Sequence, residues 1–410
     1  MKRILADYKS EAERVALVED GVLKEIFIDP PGSVSMIGQI ILGTVQNILP
    51  TQFAFIEIGR ERCAFMNLGG AKALKCGQPV LVQVYKDASG TKGANVGQML
   101  HFNGRLVILY ENGKDKPSCG VSQKITDKPE RARLRKILRE ALPPGFGAIA
   151  RTNSQGRGAD EIAEEINRLA AIQKTVRKKA KHLRPPAVVY GEGTLFNDIL
   201  SDSVDEIIAN DPAKLDEINR IIEAAAPALK GRARLHDREN GLPLFAEYGV
   251  EAQIEEALRQ KVWLPCGGFV TFEQTEACVV ADVNTGKFVG KKNNRDTIMH
   301  ANTEAAECVA DQIRLRNLSG MIIIDFIDME HEADKRNLIA SFEKNLSKDR
   351  IKTEIVGMTE LGLVQLTRKK TRESLSRLLE RDCPHCGGTG LRRKDPANSD
   401  SAKSSGGEAN

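Results

Sequence analysis

The sequence predicts a multidomain α/β protein with a small β-barrel in its first third. Three observations predict it. The chain has 410 residues, which at roughly 100–200 residues per domain makes two to four domains. Short, glycine-punctuated β segments crowd residues 35–110, the pattern of a small barrel or sandwich. Apolar strand-like runs then alternate with long helical periods over 258–378, the order of a layered α/β unit. Hydrophobic residues at 41% suffice for buried cores, which excludes disorder throughout. No run approaches the roughly 18 uncharged apolar residues of a membrane helix. The N-terminal residues 1–7 are followed by Glu11 and Glu13 rather than by the apolar segment of a secretory signal. A cytoplasmic protein without stable membrane insertion is expected. The net charge of +4 is too small to imply a polyanionic partner, so local clusters must carry that argument.

In chain order, residues 14–18 and 23–28 flank Glu19-Asp20-Gly21, a hairpin with a glycine turn closed by Pro30-Pro31-Gly32. A lone hairpin is unstable, so it must join a sheet formed later in the chain. Barrel strands are expected at 40–49, 53–58, 63–66, 79–85 and 106–110, with 86–98 a mobile loop. Residues 128–142 form a basic amphipathic helix, stopped by Pro143-Pro144-Gly145. A strand at 147–152 and a long helix at 159–184 complete a small α/β unit. An apolar segment at 195–200, a strand at 206–209 and helices at 212–226 and near 250–259 follow. Over 258–378, strands are expected at 269–272, 277–283, 321–327, 351–356 and 363–366, with helices at about 298–315 and 332–348. After Arg393 the composition collapses to Lys, Asp, Ser, Gly, Asn and Glu, and 394–410 reads as a disordered tail.

Two apolar runs end on acids: Ala277–Asn284 carries Asp282 and Asn284, and Met321–Asp328 carries Asp325 and Asp328. A carboxylate at the end of a buried strand is costly unless paired or metal-bound. Two such ends meeting at one sheet edge could hold Mg²⁺, which takes oxygen ligands, and the ion would activate water against a phosphodiester. Asp282 and Asn284 share a strand face, whereas Asp325 and Asp328 do not. The plainer reading makes these acids turn or cap residues. Lys287, Lys291, Lys292 and Arg295 lie close by, with Gly286 and Gly290 between them, bases suited to phosphate or simply a solvated loop. The stretches 230–234 and 368–372 carry the same ambiguity. Phe53, Phe55 and Phe65 on the barrel, with Lys92, have the make-up of a single-strand stacking site, although strand aromatics more often fill cores.

The chain has 8 cysteines. Cys63, Cys76, Cys119, Cys266, Cys278 and Cys308 are scattered and read as reduced core thiols. Cys383 and Cys386, in Cys-Pro-His-Cys, supply two of four tetrahedral zinc positions. With no second such pair, four sulfurs require two chains. A redox pair or an intrachain site with a distant histidine are the alternatives.

The segments Ala281–Gly286, Gly320–Met329, Glu360–Arg368 and Cys383–Gly390, in this order, resemble the ribonuclease E/G family over about residues 1–393. The lack of a long C-terminal extension is closer to its G-type members. The resemblance implies an RNase H-like subdomain (1–34 and 195–257) with an inserted S1-type barrel (35–105), a 5′-end sensor (106–194), a DNase I-like catalytic subdomain (258–378) and a zinc link (379–393). It implies a Mg²⁺-dependent endoribonuclease acting on single-stranded RNA, in ribosomal RNA processing and messenger decay, leaving 5′-phosphate and 3′-hydroxyl ends. Asp282 and Asp325 match the family's magnesium ligands, Asn284 its assisting asparagine, and Phe55, Phe65 and Lys92 its S1 contacts. Phe53 has no counterpart there. Gly104, Ile108, Arg151 and Thr152 match the 5′-monophosphate pocket, with Ile108 in place of another aliphatic residue. Cys383 and Cys386 match the ligands of a Zn²⁺ ion shared by two chains. A short polar tail replaces the small domain that often follows, which puts tetramers in doubt and leaves a homodimer expected. A non-catalytic RNA-binding protein on the same scaffold is the other reading, and the intact 282, 284 and 325 positions favour the enzyme.

Overall fold

The computed structural model describes residues 1–29, 36–69, 74–88, 92–112, 117–191, 200, 203–236, 241–286, 294–388 and 390. The expectations for Lys287, Lys291, Lys292, Gly290, residues 30–32, 195–199 and the tail lie outside them. The described residues build four sheets, mixed α/β throughout.

The first sheet is assembled from both sides of a long insertion. Strands β2 (Glu13–Glu19) and β3 (Val22–Asp29) form the expected hairpin. Asp20 and Gly21 both take positive φ, at 50° and 81°, as a two-residue turn matched to strand twist requires. The hairpin joins β1 (Lys2–Asp7), which pairs in parallel with β14 (Glu206–Ala209), and β15 (Ala233–Leu235) closes the order β15-β14-β1-β2-β3. The later sheet the hairpin needed is therefore present. Ile4 and Ala6 pack with Ile218 and Ile222 of the helix Pro212–Ala225. Leu5 packs on the opposite side with Phe245 and Ile254. Both faces are covered, so β1 shows no alternation, and sequence periodicity missed it.

Between these halves lies a closed five-stranded barrel: β4 (Ile40–Leu49), β5 (Phe53–Glu57), β6 (Ala64–Asn67), β8 (Asn95–Gly97) and β7 (Pro79–Lys86), which returns to β4. Ile41, Val45, Ile56, Met66, Val82 and Val96 fill it. At Gly43 a Cβ would stand 2.6 Å from the Glu57 carbonyl oxygen, so glycine lets β4 approach β5. Two expectations change. The segment 86–98 is not all loop, because β8 closes the barrel. The strand near 106–110 belongs elsewhere: β10 (Val107–Glu111) joins β9 (His101–Asn103), β12 (Phe146–Ala150) and β11 (Ser118–Val121) in a separate sheet. The helices Lys128–Ala141 and Ala159–Ala180 cover that sheet through Leu134, Leu138, Ile162 and Ile166. Asp127 caps the first by accepting from the Glu130 amide.

The last sheet runs β16-β17-β18-β19-β21-β20, from β16 (Lys261–Trp263), β17 (Phe269–Gln274), β18 (Cys278–Asn284), β19 (Gly320–Asp325), β21 (Val364–Arg368) and β20 (Thr353–Met358). Helices Asn294–Leu315 and Glu332–Leu346 bury Val309, Ile313, Leu338 and Phe342 against Val270, Ala281, Ile322 and Ile324. The side chains between those positions, among them Asp282 and Asp325, point to the other face. The scattered cysteines are free, but Cys76 is exposed and the other five are only half-buried. They are not core thiols as expected: Cys119, Cys266 and Cys308 pack at the margins of their clusters, and none of the six is fully buried.

Candidate active site and RNA-facing surfaces

β18 and β19 are parallel neighbours, and Asp282 stands directly opposite Asp325. Parallel strands lie about 4.8 Å apart and opposed residues share a face, so the two carboxylates are within reach of one ion. Both side chains are exposed. The strands are buried through their other face, so the acids sit at exposed strand ends and bear only part of the burial cost expected for them. Asn284 donates from Nδ2 to Asp282 Oδ2 at 2.6 Å. The Asp325 carboxyl is raised above its ordinary 3.8, first by desolvation, then by the charges of Asp282 and Asp328. Asp328 thus acts on the site from beyond the strand, which ends at Asp325 rather than at 327. It also lines a cavity of about 140 Å³ with Lys335, Met358 and Glu360.

Sequence reasoning missed Asn302. It is fully buried, its amide donates to the Ile327 carbonyl at 2.8 Å, and its carbonyl accepts from the Ile327 amide at 3.0 Å. This two-point clamp from the helix Asn294–Leu315 fixes the chain just past Asp325. An asparagine within a helical run leaves no mark by which sequence could distinguish it.

Among the described residues, several members of the basic clusters pair within the fold. Arg295 holds Asp334 through two hydrogen bonds at 2.7 and 2.9 Å. Arg234 pairs with Glu206, Lys230 with Glu223, and Arg232 donates to the Val204 carbonyl. Arg368 is buried against Asp349, and Lys370 pairs with Glu373. Arg368 and its acid partner are both buried, so this base serves the fold, whereas the Lys230 and Lys370 pairs lie at the surface.

On the barrel, Phe55 stands opposite Phe65 with ring centroids 6.2 Å apart, and Phe53 stacks on Phe65 at 4.7 Å. All three rings are half-exposed while the alternating Ala54 and Ile56 point inward, so they form an outward aromatic patch. Lys92 is exposed on the segment leading to β8, which runs parallel to β6.

In the third sheet, Arg151 donates from Nη1 to the Gly104 carbonyl at 2.6 Å, and Thr152 Oγ1 lies 3.4 Å from Ser122 Oγ. Ile108 is half-buried on β10, opposite Asn103 and Ile149. Gly104, Arg151 and Thr152 therefore gather at one sheet edge, with Ile108 a short step along the strand. A Cβ at Gly104 would come 2.1 Å from the Glu165 carboxylate, which already accepts from the Leu106 and Val107 amides, so any larger residue there collides. At the C-terminal end, Cys383 is exposed and Cys386 half-buried on one turn, where Sγ of Cys386 accepts from the Gly390 amide at 3.3 Å. Among the described residues, no group of three or more His, Cys, Asp or Glu is arranged to hold a metal, and none is a helix long and apolar enough to cross a membrane.

The described chain is a mixed α/β protein with a closed five-stranded barrel, outward aromatics on that barrel and two acids opposed at parallel strand ends. The chain belongs to the ribonuclease E/G family, whose model matches residues 101–371. It is similar to ribonuclease G of Escherichia coli K12, 35% identical over 94% of this chain and 83% of that protein. Ribonuclease G of Haemophilus influenzae is 34% identical over the same shares, and ribonuclease E of a Nostoc species is 33% identical over 86% of this chain and 54% of its own length. The protein is an endoribonuclease with a role in RNA processing.

Proposed function

We propose that the protein cuts single-stranded RNA with Mg²⁺ held by Asp282 and Asp325, that a 5′-monophosphate stimulates the reaction, and that ribosomal RNA precursors and messengers are its substrates in the cytoplasm. The observation that carries this reading is the direct opposition of Asp282 and Asp325 across β18 and β19. The donor set is two exposed carboxylates and an amide, all oxygen-bearing, which fits Mg²⁺ and its preference for hard ligands with retained waters. When bound, that ion supplies Lewis-acid activation of water and charge neutralisation at the phosphate. Asn284 fixes the orientation of the Asp282 carboxylate. The charges of Asp282, Asp325 and Asp328 repel a phosphodiester until a cation offsets them, so cation and RNA bind cooperatively. The Phe55–Phe65 patch and Lys92 hold the strand by stacking and charge. The finer architecture follows the same reading: the barrel is of S1 type, the split sheet RNase H-like, the third sheet a 5′-end sensor and the last subdomain DNase I-like.

Arg151, anchored by the Gly104 carbonyl, and Thr152 receive the terminal phosphate through charge-assisted hydrogen bonds. The test is cleavage of one single-stranded RNA carrying a 5′-monophosphate, triphosphate or hydroxyl, each with Mg²⁺ or with EDTA. All cutting should require Mg²⁺, and the monophosphate should be cut fastest. In Arg151→Ala the three ends should be cut at nearly equal rates, with the 5′-hydroxyl rate unchanged. Equal rates in the unaltered protein would end the sensor reading, and cutting in EDTA would end the metal reading.

Cys383 and Cys386 present two thiols on one turn, and two chains together complete a tetrahedral Zn²⁺ site. Native mass spectrometry should find a homodimer with one Zn²⁺, and Cys383→Ser or a strong chelator should leave monomers. An unchanged oligomer after zinc removal contradicts the shared site.

A further inference from the structure

We propose that Trp263 and Phe269, held by Lys261, form a stacking platform for the RNA base that flanks the scissile phosphate. The inference rests on the reading of Asp282 and Asp325 as the cutting site.

Strand register builds the platform in two rows on the open face of the last sheet. In one row Lys261 stands opposite Thr271, Thr271 opposite Asp282, and Asp282 opposite Asp325. In the next, Trp263 stands opposite Phe269 and Phe269 opposite Asn284. At about 4.8 Å per strand, Phe269 lies one strand and Trp263 two strands from Asn284, the residue hydrogen-bonded to Asp282. The aromatic row thus runs straight off the catalytic edge.

Trp263 is the chain's one tryptophan and is 65% exposed, although an indole normally buries most of its large surface. Burial does not explain it. The helices cover the opposite face of the sheet through Val270 and Phe272. The rings of Trp263 and Phe269 meet edge to face at 5.4 Å. The Lys261 ammonium lies 3.8 Å from the Phe269 centroid and 5.3 Å from that of Trp263, which orients both rings and places a cation beside them. Aromatic faces beside a cation are what sequence-tolerant single-strand binding uses. Continuity with Asn284 and the carboxylates selects RNA as the occupant over a second copy of the chain.

Because the chain has a single tryptophan, its emission reports on this position alone. Asp325→Asn protein in Mg²⁺, which should bind RNA with little cutting, is titrated with a short fluorescein-labelled single-stranded RNA, following RNA anisotropy and Trp263 emission together. Emission should be quenched in step with binding. Trp263→Ala should weaken binding about 5- to 150-fold, the range set by loss of one stacked base, and with Asp325 intact should raise KM while kcat changes little. Trp263→Phe should restore most of the affinity. Matching circular dichroism and melting curves for both variants keep misfolding out of the comparison. RNA that binds without changing the emission would overturn the proposal, as would Trp263→Ala binding at full strength. So would an emission change that depends on protein concentration without RNA and disappears with dissociation, since that assigns the face to a second copy. The binding and emission readouts require no cutting, so failure of the carboxylate site would appear separately, as normal cleavage by Asp325→Asn.

Discussion

Asp325→Asn should cut RNA at least about 10³-fold more slowly while binding it nearly as well. On the proposed reading the two carboxylates would hold Mg²⁺, which would supply several kcal/mol to the transition state, and each 1.36 kcal/mol is tenfold in rate. Removing one of only two charged ligands should forfeit most of that. The same change should leave stability equal or slightly higher. Asp325 is held above its ordinary value by desolvation and by Asp282 and Asp328. A raised carboxyl stabilises the fold only while protonated, fully so below its unfolded value, and that contribution is lost as pH rises through the folded value. At neutral pH the ionised group is therefore a cost, under about 1 kcal/mol for so exposed a side chain. Single-turnover cleavage, RNA binding and a melting curve measure all three effects. A normal cutting rate would remove Asp325 from the site, and lowered stability would show that the like-charge account is wrong.

Arg368→Ala should destabilise the last subdomain by about 3–5 kcal/mol, the typical result of leaving a buried charge without its partner. The Arg368 and Asp349 side chains are 2% and 5% exposed. Nε of Arg368 donates to Asp349 at 2.6 Å, and Nη1 donates to Asn317 Oδ1 at 2.7 Å and to the Leu318 carbonyl at 3.0 Å. These bonds tie the end of β21 to the residues leading into β19, the strand that carries Asp325. A loss of that size is a large part of a domain's 5–15 kcal/mol. Urea unfolding measures it, and a drop under 1 kcal/mol would mean water satisfies Asp349. Replacing both partners, with Arg368→Met and Asp349→Leu, should recover much of the loss, because no charge is then left buried.

Arg368 also shows where sequence reading reaches its limit. In the run Arg368-Lys369-Lys370-Thr371-Arg372 it is indistinguishable from a surface base, yet it is buried. Its acid partner lies 19 residues away in sequence, and only the pairing of β20 with β21 brings the two together. Asn302 is hidden for the same reason, since its partner Ile327 is 25 residues on. Trp263 stood on a strand of three residues, too short to declare itself by alternation. By contrast, the hairpin at 14–28, the helices and most strands of the last subdomain were legible. Their periodicity is local, and the structure moves their ends by only a few residues. The Asp282 and Asp325 pair was legible too, because an acid ending an apolar run breaks a local pattern.

What the sequence determined by itself is therefore what depends on near neighbours: the α/β class, a barrel of short strands, the acids at two strand ends, the cysteine spacing and the family. Tertiary structure alone decided which strands became neighbours. It joined residues 3–6 to 206–209, moved the strand at 107–111 out of the barrel, buried Arg368 against Asp349 and placed Asp282 opposite Asp325. The physical reason is that strand pairing is a contact between segments far apart in the chain. Its energy comes from hydrogen bonds and burial that neither segment has alone.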